Sequence, residues 1–138
     1  MDACRAALQS LAGDVWRFFE TYVDEENHFL PPDNVQIDPD VGAARRTSPT
    51  NIGMELLSCM AAADLELVPQ KQALALMEQT LSSVERLEKW RGGLLYNWYD
   101  TRTLEPLHPH YVSTVDNGNL AFGGGNYAVY INPTTGKR

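Results

Sequence analysis

The residues best suited to chemistry lie in one short stretch, residues 94–107, where aromatic rings stand beside hydrogen-bonding groups. Trp98 and Tyr99 offer planar apolar faces, while Asp100 and Arg102 supply an acceptor and donors. This mixture suits a sugar, whose C–H faces stack on rings while its hydroxyls need hydrogen-bond partners. Buried structural loops contain the same mixture, so the residues alone leave both interpretations open.

Carboxylates that could act as acid and base follow the first predicted helix, where Glu25 and Glu26 precede Asp33. Cleavage of a glycosidic bond usually needs two such groups. Nothing in the sequence buries one of them to raise its pKa, so a solvated helix end is the favoured interpretation. Glu105 is the nearest alternative, but it directly precedes Pro106 and a structural role is favoured. No catalytic pair is predicted within this chain.

Metal and disulfide chemistry are not indicated. His108 and His110 form a His-x-His pair in a proline-containing loop, which is weak support for a metal site. Cys4 and Cys59 lie far apart, without a CxxC motif or a Cys/His cluster at ligand spacing. We therefore predict no metal, no cofactor and no disulfide framework, and we expect a reducing compartment.

Composition and charge narrow the classes of partner. Hydrophobic residues make up 43% of the 138 residues and charged residues 21%, which is typical of a globular domain. The net charge is -7, and Arg45-Arg46 is the only basic pair besides Lys137-Arg138. Nucleic acid is therefore not an expected partner. We find no signal peptide and no apolar run that predicts a membrane span.

The elements that must position these residues are predicted to be helices. Apolar spacing of threes and fours predicts helices over 3–23, about 50–63 and 69–90. Ser48 and Pro49 form a strong start signal for the second of these, as N-cap and first helical residue. Long polar loops connect the helices and no strand pattern is visible, which predicts an all-α scaffold with a loop-built face.

Two further segments carry weaker patterns. Residues 35–46 are polar and are predicted to form a loop. Ser113 or Thr114 can cap a fourth helix, but residues 122–126 contain three consecutive glycines, which predict an early end. Residues 127–131 then show a strand-like pattern, so residues 122–138 are expected to form an irregular or strand-like tail.

Four motifs in a fixed order resemble one known family. They are LPPDN at residues 30–34, RTSPTNIG at 46–53, YNWYDTRTLEPL at 96–107 and YVSTVDNGNLA at 111–121. Together they resemble cyclic β-1,2-glucan synthase over roughly residues 14–121. Asn117 stands where that family commonly has Ser, and the resemblance ends after Ala121.

The resemblance implies a fold and a place in a larger protein. It points to the N-terminal part of the central glycoside-hydrolase-like region, hence to a partial (α/α)6 barrel of three to four helices. We accordingly divide the chain into a partial helical-barrel domain, residues 1–121, and an atypical Gly-rich tail, residues 122–138. The implied parent is a bacterial membrane-bound enzyme, so the chain is expected on the cytoplasmic side of the inner membrane beside the parent's remaining domains.

The resemblance also implies an activity, the cyclisation of linear β-1,2-glucan by transglycosylation. The family's catalytic carboxylates are expected outside this chain, so the isolated chain is expected to be inactive and to contribute cleft loops. The alternative is a non-catalytic helical module that binds carbohydrate or another domain. The predicted substrate-binding residues are Trp98, Tyr99, Asp100, Arg102, Asp116 and Asn119, with Thr47 and Asn51 as weaker candidates.

Overall fold

A computed structural model describes residues 3–131 of the chain, and within them the fold is predominantly helical. The four helices are α1 (Ala3–Tyr22), α2 (Pro49–Asp64), α3 (Gln70–Arg86) and α4 (Thr114–Ile131). Short 3-10 turns lie at Glu25–Asn27 and Arg91–Gly93. The short strands are β1 (Val35–Ile37), β2 (Asp40–Ala43), β3 (Arg46–Thr47) and β4 (Tyr99–Asp100).

The starts of the helices follow their sequence signals. The Ser48 hydroxyl accepts a hydrogen bond from the Asn51 amide at 3.2 Å, and Pro49 occupies the first helical position. This cap satisfies an amide that the helix itself leaves free. α3 begins one residue after Pro69 and ends at Arg86, earlier than predicted, because the backbone at Leu87 is already extended.

The predicted helical scaffold of four helices is confirmed, but the expectation that it contains no strands is wrong, because two small antiparallel sheets are present. Residues 35–43, predicted as loop, form a hairpin in which Val35 pairs with Ala43. In the second sheet Thr47 pairs with Tyr99, which is remote in sequence. The hairpin exposes Ile37 and the other strands are only two residues long, so no alternation of apolar and polar residues marks them.

The prediction of a strand-like tail is wrong for residues 122–131, which continue α4 to Ile131. Residues 132–138 lie outside the described part of the chain. Glycine weakens a helix by about 1 kcal/mol relative to Ala, but tertiary packing can override that cost. Here Gly123 packs directly on α2. The division after Ala121 stays a prediction, since a helix that crosses this residue does not decide where a domain ends.

α2 and α4 approach each other closely at a pair of glycines. A Cβ atom on Gly53 would lie 2.6 Å from the Asn119 carbonyl oxygen, and one on Gly123 would lie 2.7 Å from the Gly53 carbonyl oxygen. Thr50, one turn before Gly53, contacts Asp116, which precedes Gly123 by two turns. The two helices therefore run parallel, and their N-terminal ends lie on the same side of the molecule.

Two apolar clusters hold the elements together. The larger one joins α1, α2 and α3 through buried side chains such as Phe19, Leu56 and Met77. The smaller one lies under the loops and includes Leu30 and Tyr99. None of the helices in residues 3–131 combines the length and hydropathy needed to cross a membrane.

Substitution of Gly53 by Ala is expected to destabilise the protein by about 1–3 kcal/mol, because the new methyl group has no space against the α4 backbone. Urea unfolding followed by circular dichroism measures the change. Gly124→Ala is the matched control, since no atom lies within 4 Å of that position and the substitution should stabilise α4 slightly. Equal effects of the two substitutions would show that the close approach is unimportant.

Candidate functional site

The parallel arrangement of α2 and α4 brings polar side chains together at the N-terminal ends of both helices. The Thr50 hydroxyl donates to Asp116 Oδ1 at 2.6 Å, and Asn119 Nδ2 donates to the Thr50 hydroxyl at 3.0 Å. Asp116 and Thr50 are half-buried and Asn119 is exposed. These three side chains therefore present hydrogen-bonding groups at the surface on a rigid helical base.

Asn97 ties the aromatic loop to this pair of helices. In the amide orientation that gives every donor an acceptor, Asn97 Nδ2 donates to Asp116 Oδ2 at 3.0 Å. Its oxygen accepts from Trp98 Nε1 at 3.0 Å and from the Tyr111 hydroxyl at 2.7 Å. Asn97 is buried, so these bonds are protected from water. We call Thr50, Asn97, Tyr111, Asp116 and Asn119 the Asn97 cluster.

Trp98 borders this cluster and carries a cation on its ring. The Arg46 guanidinium carbon lies 4.6 Å from the centroid of the Trp98 ring, within the range of a cation–π contact. Arg46 also donates twice to Asp33 Oδ2, at 2.8 and 3.1 Å, and Asn51 Nδ2 lies 3.4 Å from Asp33 Oδ1. We call Asp33, Arg46 and Trp98 the Trp98 rim.

Tyr99 does not offer a stacking face, which corrects its predicted role. Its ring is fully buried, and its hydroxyl donates to the Glu88 carbonyl oxygen at 2.6 Å and accepts from the Tyr96 amide at 2.8 Å. Burial raises the pKa of Tyr99 to about 12, so the hydroxyl keeps its proton. Tyr99 is a structural residue of the loop, which leaves Trp98 as the stacking candidate.

Asp100 ends β4 and Arg102 lies in the turn that follows, where the Asp100 carboxylate binds the Arg102 backbone. Asp100 Oδ1 accepts from the amides of Arg102 and Thr103, at 2.8 and 3.0 Å, and so shapes the turn. The Arg102 guanidinium forms an ion pair with Glu26. Neither side chain makes a hydrogen bond to the Asn97 cluster, and their predicted role in binding stays untested.

Thr47 is fully buried, and its hydroxyl finds no hydrogen-bond partner in the described residues. It is therefore not available to a ligand in this conformation, which corrects its predicted role. Of the predicted residues, the structure brings Trp98, Asp116, Asn119 and Asn51 to one face. It places the buried Thr47 and Tyr99 beneath the loops.

The Asn97 cluster and the Trp98 rim can stack a ring and hydrogen-bond hydroxyls, but they are not equipped to cleave a bond. Glu55 is the carboxylate whose pKa is raised, to about 8 by burial, yet it is fully enclosed between helices. No three His, Cys, Asp or Glu side chains within residues 3–131 converge on a common metal site. The geometry therefore favours binding over chemistry.

A groove with a volume of about 500 Å³ lies elsewhere, between the first 3-10 turn and α3. Its lining includes Glu25, Glu78 and Arg86, and none of the predicted site residues. Asp33 and Asn51 line a smaller recess of about 130 Å³ beside α1. The candidate site is therefore an open face of the fold and not a closed pocket.

Sequence reasoning did not predict five members of the site as binding residues: Asp33, Arg46, Thr50, Asn97 and Tyr111. Asn97 and Thr50 act as internal links, and their types and positions alone do not mark them as such. Arg46 was noticed only as part of a basic pair. The signal in the sequence was the set of ordered motifs, because Arg46 and Thr50 lie in the motif at residues 46–53 and Asn97 lies in the motif at residues 96–107.

Comparison with known sequences gives one family and one curated relative. Residues 10–122 match the family described as "Protein of unknown function (DUF3131)". Over 114 residues, 83% of this chain, the sequence is 48% identical to the cyclic β-(1,2)-glucan synthase NdvB of Rhizobium meliloti strain 1021. The chain spans 4% of the length of that relative.

Solved structures share the fold. An endo-β-1,2-glucanase from Chitinophaga pinensis, in complex with sophorotriose and glucose, superposes with a TM-score of 0.73 at 10% identity over 86% of this chain and 30% of that one. A Bacteroides fragilis protein proposed to be a glucoamylase also gives 0.73, at 17% identity over 86% of this chain and 29% of that one. At these identities the similarity concerns the fold alone.

Replacing Tyr99 by Phe is expected to cost about 1–3 kcal/mol of stability, because the substitution leaves the Tyr96 amide without its acceptor. Urea unfolding measures the loss. Tyr22→Phe on α1 is the control and should change stability by less than about 0.5 kcal/mol, as is usual for substitutions without buried partners. A stable Y99F protein would argue against a structural role for this hydroxyl.

Proposed function

This chain belongs to the DUF3131 family, and we propose that it is a segment of a glucan-processing enzyme. The observation that carries the proposal is the 48% identity to the cyclic β-(1,2)-glucan synthase NdvB across most of the chain. The fold shared with an endo-β-1,2-glucanase supports the same substrate class. The segment would contribute part of a glucan-binding cleft.

The more specific proposal is cyclisation of linear β-1,2-glucan by transglycosylation. The segment would form the N-terminal part of an (α/α)6 barrel in the glycoside-hydrolase-like region of its parent. The parallel pair α2 and α4, with α1 and α3 packed against α2, suits such a barrel, since helices consecutive in the chain alternate in direction there and every second helix runs parallel.

The reaction would use groups beyond this segment. A retaining glycosidase mechanism needs a nucleophilic carboxylate and an acid/base carboxylate about 5–5.5 Å apart. In cyclisation a hydroxyl of the same glucan chain would replace water as the acceptor, so that one glycosidic bond breaks and another forms. Because the Asn97 cluster contains a single carboxylate, Asp116, its proposed role is to hold the glucan.

The Trp98 rim is proposed to be the stacking surface. Trp98 is half-buried and fixed at its Nε1 atom by Asn97, so its ring is held in place before a ligand arrives. A ring fixed in advance loses little conformational entropy on binding. Asp116 and Asn119, on the same face, would hydrogen-bond the hydroxyls of an adjacent glucose.

The proposed setting is a larger bacterial protein. NdvB is 48% identical to this chain, and the chain covers only 4% of it, which supports a parent with further domains. We propose that the parent is membrane-bound and that this segment lies on the cytoplasmic side of the inner membrane. The partners would then be β-1,2-glucan and the remaining domains of the same polypeptide.

The purified 138-residue chain is expected to bind linear β-1,2-glucan oligosaccharides more tightly than β-1,3- or β-1,4-glucans of equal length. Trp98→Ala should weaken that binding about fivefold or more, because stacking on an aromatic ring contributes on the order of 1 kcal/mol or more. Isothermal titration calorimetry measures both differences.

Trp90→Ala is the matched control, since Trp90 is 45% exposed and lies outside the rim. It should leave the affinity unchanged. Equal affinity for all three glucans would refute the proposed specificity, and equal losses for W98A and W90A would refute the proposed stacking surface. Binding in which none of the oligosaccharides is shortened or cyclised would fit a segment that lacks the catalytic pair.

A further inference from the structure

One buried hydroxyl on α3 is shared by three oxygen atoms. Thr80 Oγ1 lies 2.8 Å from Glu55 Oε1, 2.9 Å from the Phe29 carbonyl oxygen and 3.0 Å from the Leu76 carbonyl oxygen. A hydroxyl has one proton and can fully satisfy only one acceptor. The two carbonyls carry no proton, so Glu55 is the group of this set that can supply a second one.

The surroundings of Glu55 favour the protonated form. The side chain is fully buried, and its Oε2 atom has no hydrogen-bond partner. No Lys, Arg or His within residues 3–131 forms a salt bridge with it. An unpaired buried charge is strongly unfavourable. Burial accordingly raises the pKa of Glu55 from 4.5 to about 8, although the Thr80 hydrogen bond opposes the shift.

The neighbouring elements offer no charge that would reverse this preference. On α2 the nearest titratable group is the Cys59 thiol, whose own pKa is raised by burial, so it stays neutral. α3 presents the hydroxyls of Thr80 and Ser83. The loop presents the carbonyls of His28 and Phe29, and the His28 ring is directed to another loop, 2.9 Å from a carbonyl oxygen there. The α1 side chains in this core are apolar.

The loop held by these hydroxyls has an uncommon backbone. His28 and Phe29 have φ values of 54° and 55°, a left-handed conformation that costs side-chain-bearing residues energy. Ser83 donates to the His28 carbonyl at 2.5 Å, and Thr80 faces the Phe29 carbonyl. Two successive carbonyls of the turn are thus fixed by α3. Asp33 of the Trp98 rim follows four residues later.

The connection between the turn and the rim is stiff. Pro31 and Pro32 lie between them and are buried, and proline fixes φ at about -65°. Leu30 is fully buried in the smaller apolar cluster. The Asp33 amide donates to the Arg46 carbonyl at 2.8 Å, so the segment joins β3 directly. A shift of the turn would therefore move the Asp33 carboxylate that holds Arg46.

We propose that Glu55 is a neutral carboxylic acid that donates its proton to Thr80, and that Thr80 in turn donates to the Phe29 carbonyl. This relay fixes the His28–Phe29 turn and thereby positions the Trp98 rim. Glu55 and Thr80 are positioning residues, since they touch no ligand. Only the consequence for glucan affinity rests on the proposed function, whereas the relay itself does not.

The relay makes the stability of the fold depend on pH between 4.5 and about 8. Because the pKa of Glu55 is higher in the folded chain than in the unfolded chain, the folded chain binds the extra proton between pH 4.5 and about 8. Glu55 therefore contributes its full stabilisation below pH 4.5. That contribution falls as the pH rises across this window, by up to about tenfold in the folding equilibrium constant for each pH unit, and levels off above it.

The first test is the titration of the Glu55 carboxyl carbon in the full chain by nuclear magnetic resonance, with the signal assigned in the natural protein through bonds from the Glu55 backbone. We expect a midpoint near pH 8. A midpoint in the ordinary range of glutamate would overturn the proposal. This measurement needs only the natural protein to fold, so an unstable variant cannot leave the question open.

The second test is urea unfolding at pH 5 and pH 8. The natural chain should lose stability across this interval relative to E55Q, which has no proton to lose at that position. Thr80→Ser should keep the pH dependence because it keeps the hydroxyl, while Thr80→Val should lower the stability at pH 5 because it removes the acceptor of the Glu55 proton and the donor to the Phe29 carbonyl. The same pH dependence in the natural chain and in E55Q would rule out a role for this proton.

The third test measures affinity for a linear β-1,2-glucan oligosaccharide at pH 6 and pH 9. The natural chain should bind more weakly at pH 9, and E55Q should bind equally at both. If the glucan binds but E55Q also has a lower affinity at pH 9 than at pH 6, the positioning role is wrong. If no glucan binds at either pH, the proposed function fails, and the titration and unfolding experiments still decide whether the relay exists.

Discussion

The close approach of α2 and α4 at Gly53 and Gly123 is the contact on which the candidate site depends. Two helix backbones come near enough that a methyl group at either position would overlap a carbonyl oxygen. Because the helices cross there in parallel, Thr50 and Asp116 meet one and two turns before the crossing. Moving the crossing by one turn would separate these side chains and remove the base of the Asn97 cluster.

The aromatic loop is secured to this base by hydrogen bonds and not by its aromatic rings alone. Asn97 links Asp116 to Trp98 and Tyr111, while the buried Tyr99 hydroxyl closes the loop on itself through Tyr96. Tyr99 therefore stabilises the loop from inside, whereas Trp98 remains partly exposed. A face held in this way is suited to a rigid, hydroxyl-rich ligand, because little order has to be gained on binding.

A second set of contacts connects α3, in the core, with the Trp98 rim. Hydroxyls of α3 hold the turn at His28 and Phe29, and the buried prolines that follow carry Asp33 to Arg46. α3 thus contributes to the site without any side chain on the surface. The stability of the core and the shape of the binding face are coupled through one short segment, residues 28–33.

The sequence by itself determined the positions of α1, α2 and the start of α3, because apolar spacing and the Ser48-Pro49 cap are local signals. The order of its motifs also indicated a resemblance to cyclic β-1,2-glucan synthase. Only the tertiary structure decided that α4 continues through residues 123–125. The packing of Gly123 against Gly53 on α2 offsets the unfavourable helix propensity of the glycines. The tertiary structure alone also decided that Tyr99 is fully buried while Trp98 is half-buried, because Tyr99 lies in β4, whose partner strand Arg46–Thr47 is remote in sequence.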